Sequence, residues 1–375
     1  MPLEARILSS FPSGKGTPPA SLAEVEACLR CETTRPAPLF LPAVYEQKAW
    51  FLRETPSRVC QSAELLTRAL LAEFETIGPD ALTVGIDVYN VEAEAAGSKI
   101  TFYENGRTSV PGIKPDHHAL RTEDDVTNRP IPNPRTDGRM PLHIEAARRV
   151  IKELGPNYWV RGAIAGPFSL ATSLVGADEL FPACLEEPDR VRASLHYAAR
   201  IIKEYAQAYI DVGAGLVMFD SQASPDMISR RTYEEFVLPV MKDLIRHFAA
   251  QGVRNVPLII GGDTSPIIDL LIQTGANNLL CDFTGDWKTW AAACRKARRA
   301  VRRNLSPRLI ETATPDEIYL AASEEISRGR DLPGFIMGTA VIPYGTATEN
   351  ILAVKHACRD AAKRPEPVTH SEITN

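Results

Sequence analysis

No run in the 375 residues approaches the roughly 18 consecutive apolar side chains of a membrane-spanning helix, so no membrane partner is expected. The first residues, Met1 to Arg6, lack a basic stretch followed by an apolar core, and the chain reads as cytoplasmic. Positive charge is not in excess: 42 Lys and Arg face 47 Asp and Glu, for a net charge of -5, which argues against nucleic acid as a partner. Seven cysteines scattered over this length build no disulfide framework and suit a reducing compartment. Their one close pair, Cys28 and Cys31, has no second pair at zinc-finger spacing; packing, half a metal site and a redox pair all stay open for it. The basic cluster Arg295 to Arg303 reads as the solvated face of a helix. No repeat of about 20 to 50 residues occurs, which excludes a solenoid or propeller.

What is present is an alternation of short apolar runs and helical patterns, organised around Val256-Pro-Leu-Ile-Ile-Gly-Gly-Asp-Thr264. An apolar run closed by Gly-Gly-Asp-Thr reads as a buried parallel strand that delivers polar groups at its carboxyl end. A helical pattern from Ser265 to Gln273 follows, stopped near Gly275. Asn278 to Asp282 then reads as the next strand, again ending in an acid. The same grammar runs through the chain. Strands are expected at Pro38–Val44, Pro79–Asp87, Trp159–Gly166, Gly215–Asp220, Ala300–Leu305 and Gly334–Gly338, and helices at 21–31, 46–51, 56–76, 138–154, 188–212, 230–251 and from Trp287, Pro315 and Thr348.

This pattern predicts an α/β fold: a (β/α)8 TIM barrel with an N-terminal helical extension and a lid insertion, an open doubly wound sheet being the alternative. Residues 1–20, rich in Ser, Gly and Pro, read as a flexible arm, 21–362 as one barrel domain, and 363–375 as a frayed tail. The turn-rich segment at about 99–134, with a short hairpin expected at Lys99 to Thr108, is the lid over the mouth.

Several of these segments resemble the uroporphyrinogen decarboxylase superfamily. Gly78 to Asp87 with Glu94-Ala-Ala-Gly97 is similar to its early strand, Asp137-Gly-Arg-Met140 to its helix entry, and Gly166-Pro-Phe-Ser-Leu-Ala171 to its Gly-Pro-Phe loop. Asp220-Ser-Gln-Ala-Ser224 is similar to its fifth-strand segment. The organising stretch resembles the place where the methylcobamide:coenzyme M methyltransferase branch writes His-x-Cys-Gly-Asp-Thr to bind zinc. Here Ile259 and Gly261 stand at the His and Cys, and Ala340 at the later Cys, so no zinc is expected at the usual site. The arginine-rich signature of the decarboxylases is also missing, the matching region reading Ala43 to Trp50, and Thr339 stands where they carry a His. An octacarboxylate needs several guanidinium forks, so heme-pathway decarboxylation is not expected.

Four acids, Asp87, Asp220, Asp263 and Asp282, each end a predicted strand, and a barrel brings strand ends to one mouth. Clustered carboxylates raise one another's pKa, as proton transfer requires; the competing role of such acids is capping the next helix. Asp87, Asp220 and Asp263 are the catalytic candidates. Tyr89, Asn90, His117, His118, Phe168, Ser221, Asp282 and Asn304 are the substrate-binding candidates, and a hard metal held by the carboxylates with His117 or His118 is the alternative use of the set. The resemblance implies methyl transfer between a small methoxylated or methylated compound and a corrinoid (cobalamin) carried on a separate corrinoid-binding protein, with Asp87 or Asp220 protonating the leaving oxygen. A carboxy-lyase acting on a small carboxylated ring, with Arg161 and Arg230 reaching the pocket, and a catalytically silent binding protein are the rivals.

Overall fold

The computed structural model describes residues 18–32, 37–103, 106, 108–120, 126 and 128–363. Most of the expected arm, the tail beyond Lys363 and parts of the lid segment lie outside them.

Eight parallel strands form one sheet: β1 (Leu39–Ala43), β2 (Ala81–Val84), β5 (Trp159–Ala165), β6 (Gly215–Phe219), β7 (Leu258–Ile259), β8 (Asn278–Cys281), β9 (Ala300–Leu305) and β10 (Phe335–Val341). Their order, β1-β10-β9-β8-β7-β6-β5-β2, is that of a (β/α)8 barrel read from one side of a seam to the other. β1 and β2 flank the seam, and a side chain bridges them. The Asp80 amide donates to the Phe40 carbonyl (3.0 Å), and the Asp80 carboxylate accepts from the Phe40 amide (2.7 Å). The same carboxylate takes the Ala20 amide at 2.6 Å and so ties the N-terminal segment to the seam.

Sequence explains most elements locally. Ser21 and Glu24 form a reciprocal capping box on the helix Leu22–Leu29, and Thr314 and Glu317 do the same for Pro315–Gly329. The first of these helices stoppers the amino-terminal end of the barrel: Val25, Cys28, Leu29 and Cys31 pack with Leu39, Leu41, Ala81, Trp159, Ala300 and Ile336. Burial of Cys28 and Cys31 in this layer gives the pair its packing role. At the opposite end, Ala43, Tyr45, Val88, Ala163, Val217, Phe219, Ile259 and Leu280 form a second apolar layer under the mouth.

The structure departs from expectation in four places. The single helix expected at 56–76 is two, Pro56–Val59 and Ala63–Thr76, because Ser62 caps a fresh start by accepting from the Leu65 amide. The helix from Arg230 contains a π-helical stretch at Tyr233–Val237 before Leu238–Ala250, where Pro239 lacks an amide hydrogen. The hairpin pairs β3 (Ile100–Thr101) with β4 (Gly112–Ile113), so its return strand lies beyond Thr108. The basic cluster does not share one solvated helix face: the helix Trp287–Ala297 ends within it, and Arg302 and Arg303 are buried on β9. Arg303 points outward to Glu325 (2.9 Å), and Arg302 points into the barrel mouth.

Candidate active site

The carboxyl ends of the strands enclose a cavity of about 290 Å3. Apolar walls come from Ala43, Ile86, Val88, Phe219, Ile259, Leu280, Ala340 and Val341, and the polar groups are Tyr45, Glu46, Tyr89, Asn90, Ser221, Asp282, Arg302 and Asn304. Val110 and Pro111 of the insertion cover one side. The same two residues, with Tyr89 and Asn90, also line a wider open cleft of about 660 Å3 against the helix Pro167–Val175. A mostly apolar chamber with a few convergent polar groups, entered from a cleft, is the usual form of a small-molecule site.

One hydrogen-bonded line organises the floor. Arg302 Nε donates to Asn304 Oδ1 (2.9 Å), and Asn304 Nδ2 donates to Asp282 Oδ1 (3.0 Å). Asp282 also accepts from the Phe283 amide (3.0 Å) and, through Oδ2, from the Gly262 amide (3.2 Å). Arg302 Nη2 donates to the Thr339 carbonyl at 2.8 Å. Gly338 makes room for this line: a Cβ there would sit 2.3 Å from Arg302 Nε and 2.7 Å from Asn304 Oδ1. On the far wall, the Tyr89 hydroxyl donates to Ser221 Oγ (2.9 Å). Burial pushes the Tyr89 phenol up to about 12, so it stays a donor across the physiological range.

The acids that end the strands part company. Asp87 belongs to the cavity wall, but its side chain is sealed from solvent, with Oδ2 2.7 Å from Arg139 Nη2. Arg139 in turn pairs with Glu94 (2.5 Å) and lies over the Phe102 ring, tying β2 to the helix Met140–Leu154. Asp220 is wholly buried and turns to the N-terminus of the helix Pro167–Val175, where Oδ1 accepts the Ser169 amide at 2.7 Å. Burial raises its carboxyl to about 7 against the lowering effect of those amides. Asp263 accepts from the Ser265 amide and hydroxyl, the capping role. Asp282 alone of the four presents its carboxylate within the network that lines the cavity. Strand-end position brings backbones together; the helix amides and arginines nearby, whether from the same βα unit or a neighbouring one, decide where the carboxylates turn.

Of the remaining candidates, Tyr89, Asn90, Ser221 and Asn304 line the cavity. His118 lines the outer cleft, its Nδ1 2.9 Å from the Ser173 carbonyl, and His117 is exposed beside Pro115. Phe168 is fully buried and stacks on Phe181, a packing position. Arg230 pairs with Asp269 on the surface, and Arg161 lies inside the barrel with Nε on Thr83 Oγ1 (2.9 Å). Thr339 Oγ1 accepts the Ala43 amide (3.1 Å) where the β1 register shifts.

Three cavity residues had not been singled out. Tyr45 and Glu46 follow β1 in a segment notable in sequence only for the arginines it lacks, and Arg302 was counted among surface charges. Glu46 makes no ion pair among the described residues, and burial raises its carboxyl above the ordinary value. The alternation of side-chain direction along a β-strand, applied within the basic run, is the signal that marks Arg302.

Fold and cavity together define an enzyme-type parallel barrel with its site at the carboxyl ends of the strands. Its sequence matches the uroporphyrinogen decarboxylase (URO-D) family model over residues 23–361, and the chain belongs to that family. It is 25% identical over 307 residues to a methylated-thiol–coenzyme M methyltransferase of Methanosarcina mazei, spanning 80% of this chain and 77% of that one. A methylcobamide:CoM methyltransferase of the same organism is 28% identical over 271 residues, 71% of this chain and 76% of its own. A uroporphyrinogen decarboxylase of Cellvibrio japonicus is 28% identical over 273 residues, covering 69% and 72%. A solved methyltransferase structure from Methanosarcina mazei superposes with a TM-score of 0.79 at 21% identity, over 91% of this chain and 99% of that chain, which supports the fold. Methyltransferases and decarboxylases thus both occur among the relatives.

Ile259, Gly261 and Ala340, the positions matched by resemblance to zinc ligands, all line the cavity and carry no ligand atom on their side chains. Among the described residues no group of three His, Cys, Asp or Glu side chains is arranged to hold a metal ion. These residues do not fit a thiolate-zinc centre.

Proposed function

We propose that the protein moves a methyl group between a small oxygen-methylated compound held in the cavity and a corrinoid carried on a partner protein, without metal activation of a thiol. Glu46 carries the reading: a carboxyl with a raised pKa and no ion-pair partner among the described residues, set in the wall of an otherwise largely apolar chamber. When an ether donor gives up its methyl, the carbon–oxygen bond breaks and the electron pair stays on oxygen. That oxygen takes the Glu46 proton, and the Tyr89–Ser221 pair offers a hydroxyl to the charge as it develops. The corrinoid supplies the nucleophile that accepts the methyl group, and the open cleft beside Tyr89 and Asn90 is a route by which a partner-borne group would approach. Asp87 and Asp220 hold the strand ends in register with the helices that follow.

The test is methyl transfer from methoxylated donors to free cob(I)alamin, followed by its absorbance. A general acid must be protonated, so activity is expected to fall as pH rises through the elevated Glu46 pKa. Glu46→Gln should lower kcat by about 10²-fold or more and remove that alkaline limb. Unchanged kcat and an unchanged pH profile in Glu46→Gln would remove Glu46 from the chemistry.

A further inference from the structure

We infer that the cavity is built for a small monocarboxylate, whose carboxylate is held by Arg302 while its apolar body fills the space toward Glu46 and Tyr89. The inference rests on the proposed site but not on the reaction assigned to it.

Arg302 is 2% exposed and sits in the cavity lining. A guanidinium has five N–H donors; one on Nε goes to Asn304 and one on Nη2 to the Thr339 carbonyl. Both acceptors are neutral. Arg302 has no ion pair among the described residues, and its Nη1, unlike the sealed polar atoms of the interior, is left without a protein partner but not closed off from space. Buried charges are ordinarily paired, because removing an ion from water costs several kcal/mol unless a counter-ion compensates.

The neighbouring charges do not supply that counter-ion. Arg161, the second guanidinium inside the barrel, adds positive charge; burial, and after it the neighbouring Arg302 cation, lowers the Arg161 pKa to about 10. Glu73, a buried acid, is paired with Lys48 at 3.6 Å. The Asp282 charge favours the Arg302 cation from a distance, but the two make no ion pair: Asn304 stands between them, and the Asp282 oxygens accept from Asn304, Phe283 and Gly262. Glu46 lines the same cavity, but it makes no ion pair with Arg302 among the described residues, and burial raises its carboxyl above the ordinary value.

A carboxylate fits what remains. Its two oxygens match the free edge of a planar guanidinium, and its single charge balances one cation without the excess a phosphate dianion would bring beside Asp282. The volume admits on the order of ten non-hydrogen atoms at about 30 Å3 per water-sized group. Phe219, Ile259 and Leu280 offer the body of such an acid an apolar surface. The ligand class is therefore a small monocarboxylic acid with an apolar body.

Calorimetric titration of the full chain with benzoate, benzamide and benzenesulfonate tests this. Benzoate is expected to bind at least about tenfold more tightly than benzamide, and Arg302→Met to erase that preference. Arg302→Lys should restore part of it. In the unmutated protein, benzoate affinity should fall as pH drops through the ligand's own pKa while benzamide affinity does not, a readout that survives if Arg302→Met fails to fold. No preference for benzoate over benzamide, a preference that persists without Arg302, or tighter binding of benzenesulfonate would each overturn the inference. Carboxylate binding without methyl transfer would leave it standing and sink the proposed reaction; methyl transfer from neutral donors with no carboxylate preference would do the reverse.

Discussion

Arg139→Met is expected to destabilise the protein by about 3–5 kcal/mol, read as a fall in the urea midpoint at unchanged slope. Arg139 holds the sealed Asp87 carboxylate at 2.7 Å and Glu94 at 2.5 Å, and Nη1 reaches the Cys60 carbonyl at 3.4 Å. Removing the guanidinium leaves Asp87 buried without its cation. Around it stand His143, whose pKa burial lowers to about 4, and Glu92, raised by burial to about 7, each with an orphaned polar atom. None of these can replace a cation at neutral pH. Asp87→Asn added to Arg139→Met should recover a large part of the loss, since the pair contributes less than its breakage costs. If Arg139→Met is as stable as the unmutated chain, Asp87 does not depend on the pair and its carboxylate is free for another role.

Asp80→Ala is expected to cost about 3–6 kcal/mol, the sum of two hydrogen bonds to a charged acceptor at about 1.5–3 each. The Phe40 and Ala20 amides both end on this one carboxylate, at 2.7 and 2.6 Å. β1 and β2 share no strand ladder, so little else replaces those contacts. Amide hydrogen exchange should accelerate selectively at Phe40 and Ala20, and the helix Leu22–Leu29 should loosen from the barrel floor. Exchange unchanged at both amides would show that the Asp80 carboxylate does not hold the seam.

The barrel itself was legible in the sequence because its signals are local. Apolar runs ending in acids, helix starts capped by Ser21 or Thr314, and glycine stops are properties of short windows. The return strand of the hairpin, the split at Ser62 and the inward turn of Arg302 were not, because each depends on which neighbour accepts a group. Asp220 illustrates the limit: its position at the end of β6 follows from the sequence, yet the Ser169 amide that captures it comes from the helix after β5. Asp87 is similar, since Arg139 was visible within Gly138-Arg139-Met140 while its partner lies on another element. Asp282, Tyr89, Asn90, Ser221 and Asn304 were readable as cavity residues because they lie at or shortly beyond the carboxyl ends of the strands. Glu46 was passed over because its segment is marked in sequence only by missing arginines.

Carboxylate anchoring also bears on the choice between the two chemistries found among the relatives. A guanidinium that pairs with a carboxylate stabilises its charged ground state, and that opposes loss of carbon dioxide from the same group. The most direct measurement is therefore a single incubation of a methoxylated benzoate, labelled with carbon-13 in both its methyl and its carboxyl carbon, with the protein and cob(I)alamin. The methyl label is expected in methylcobalamin and the carboxyl label in the demethylated hydroxybenzoate, with no labelled carbon dioxide. Labelled carbon dioxide with the methyl ether left intact would contradict the account.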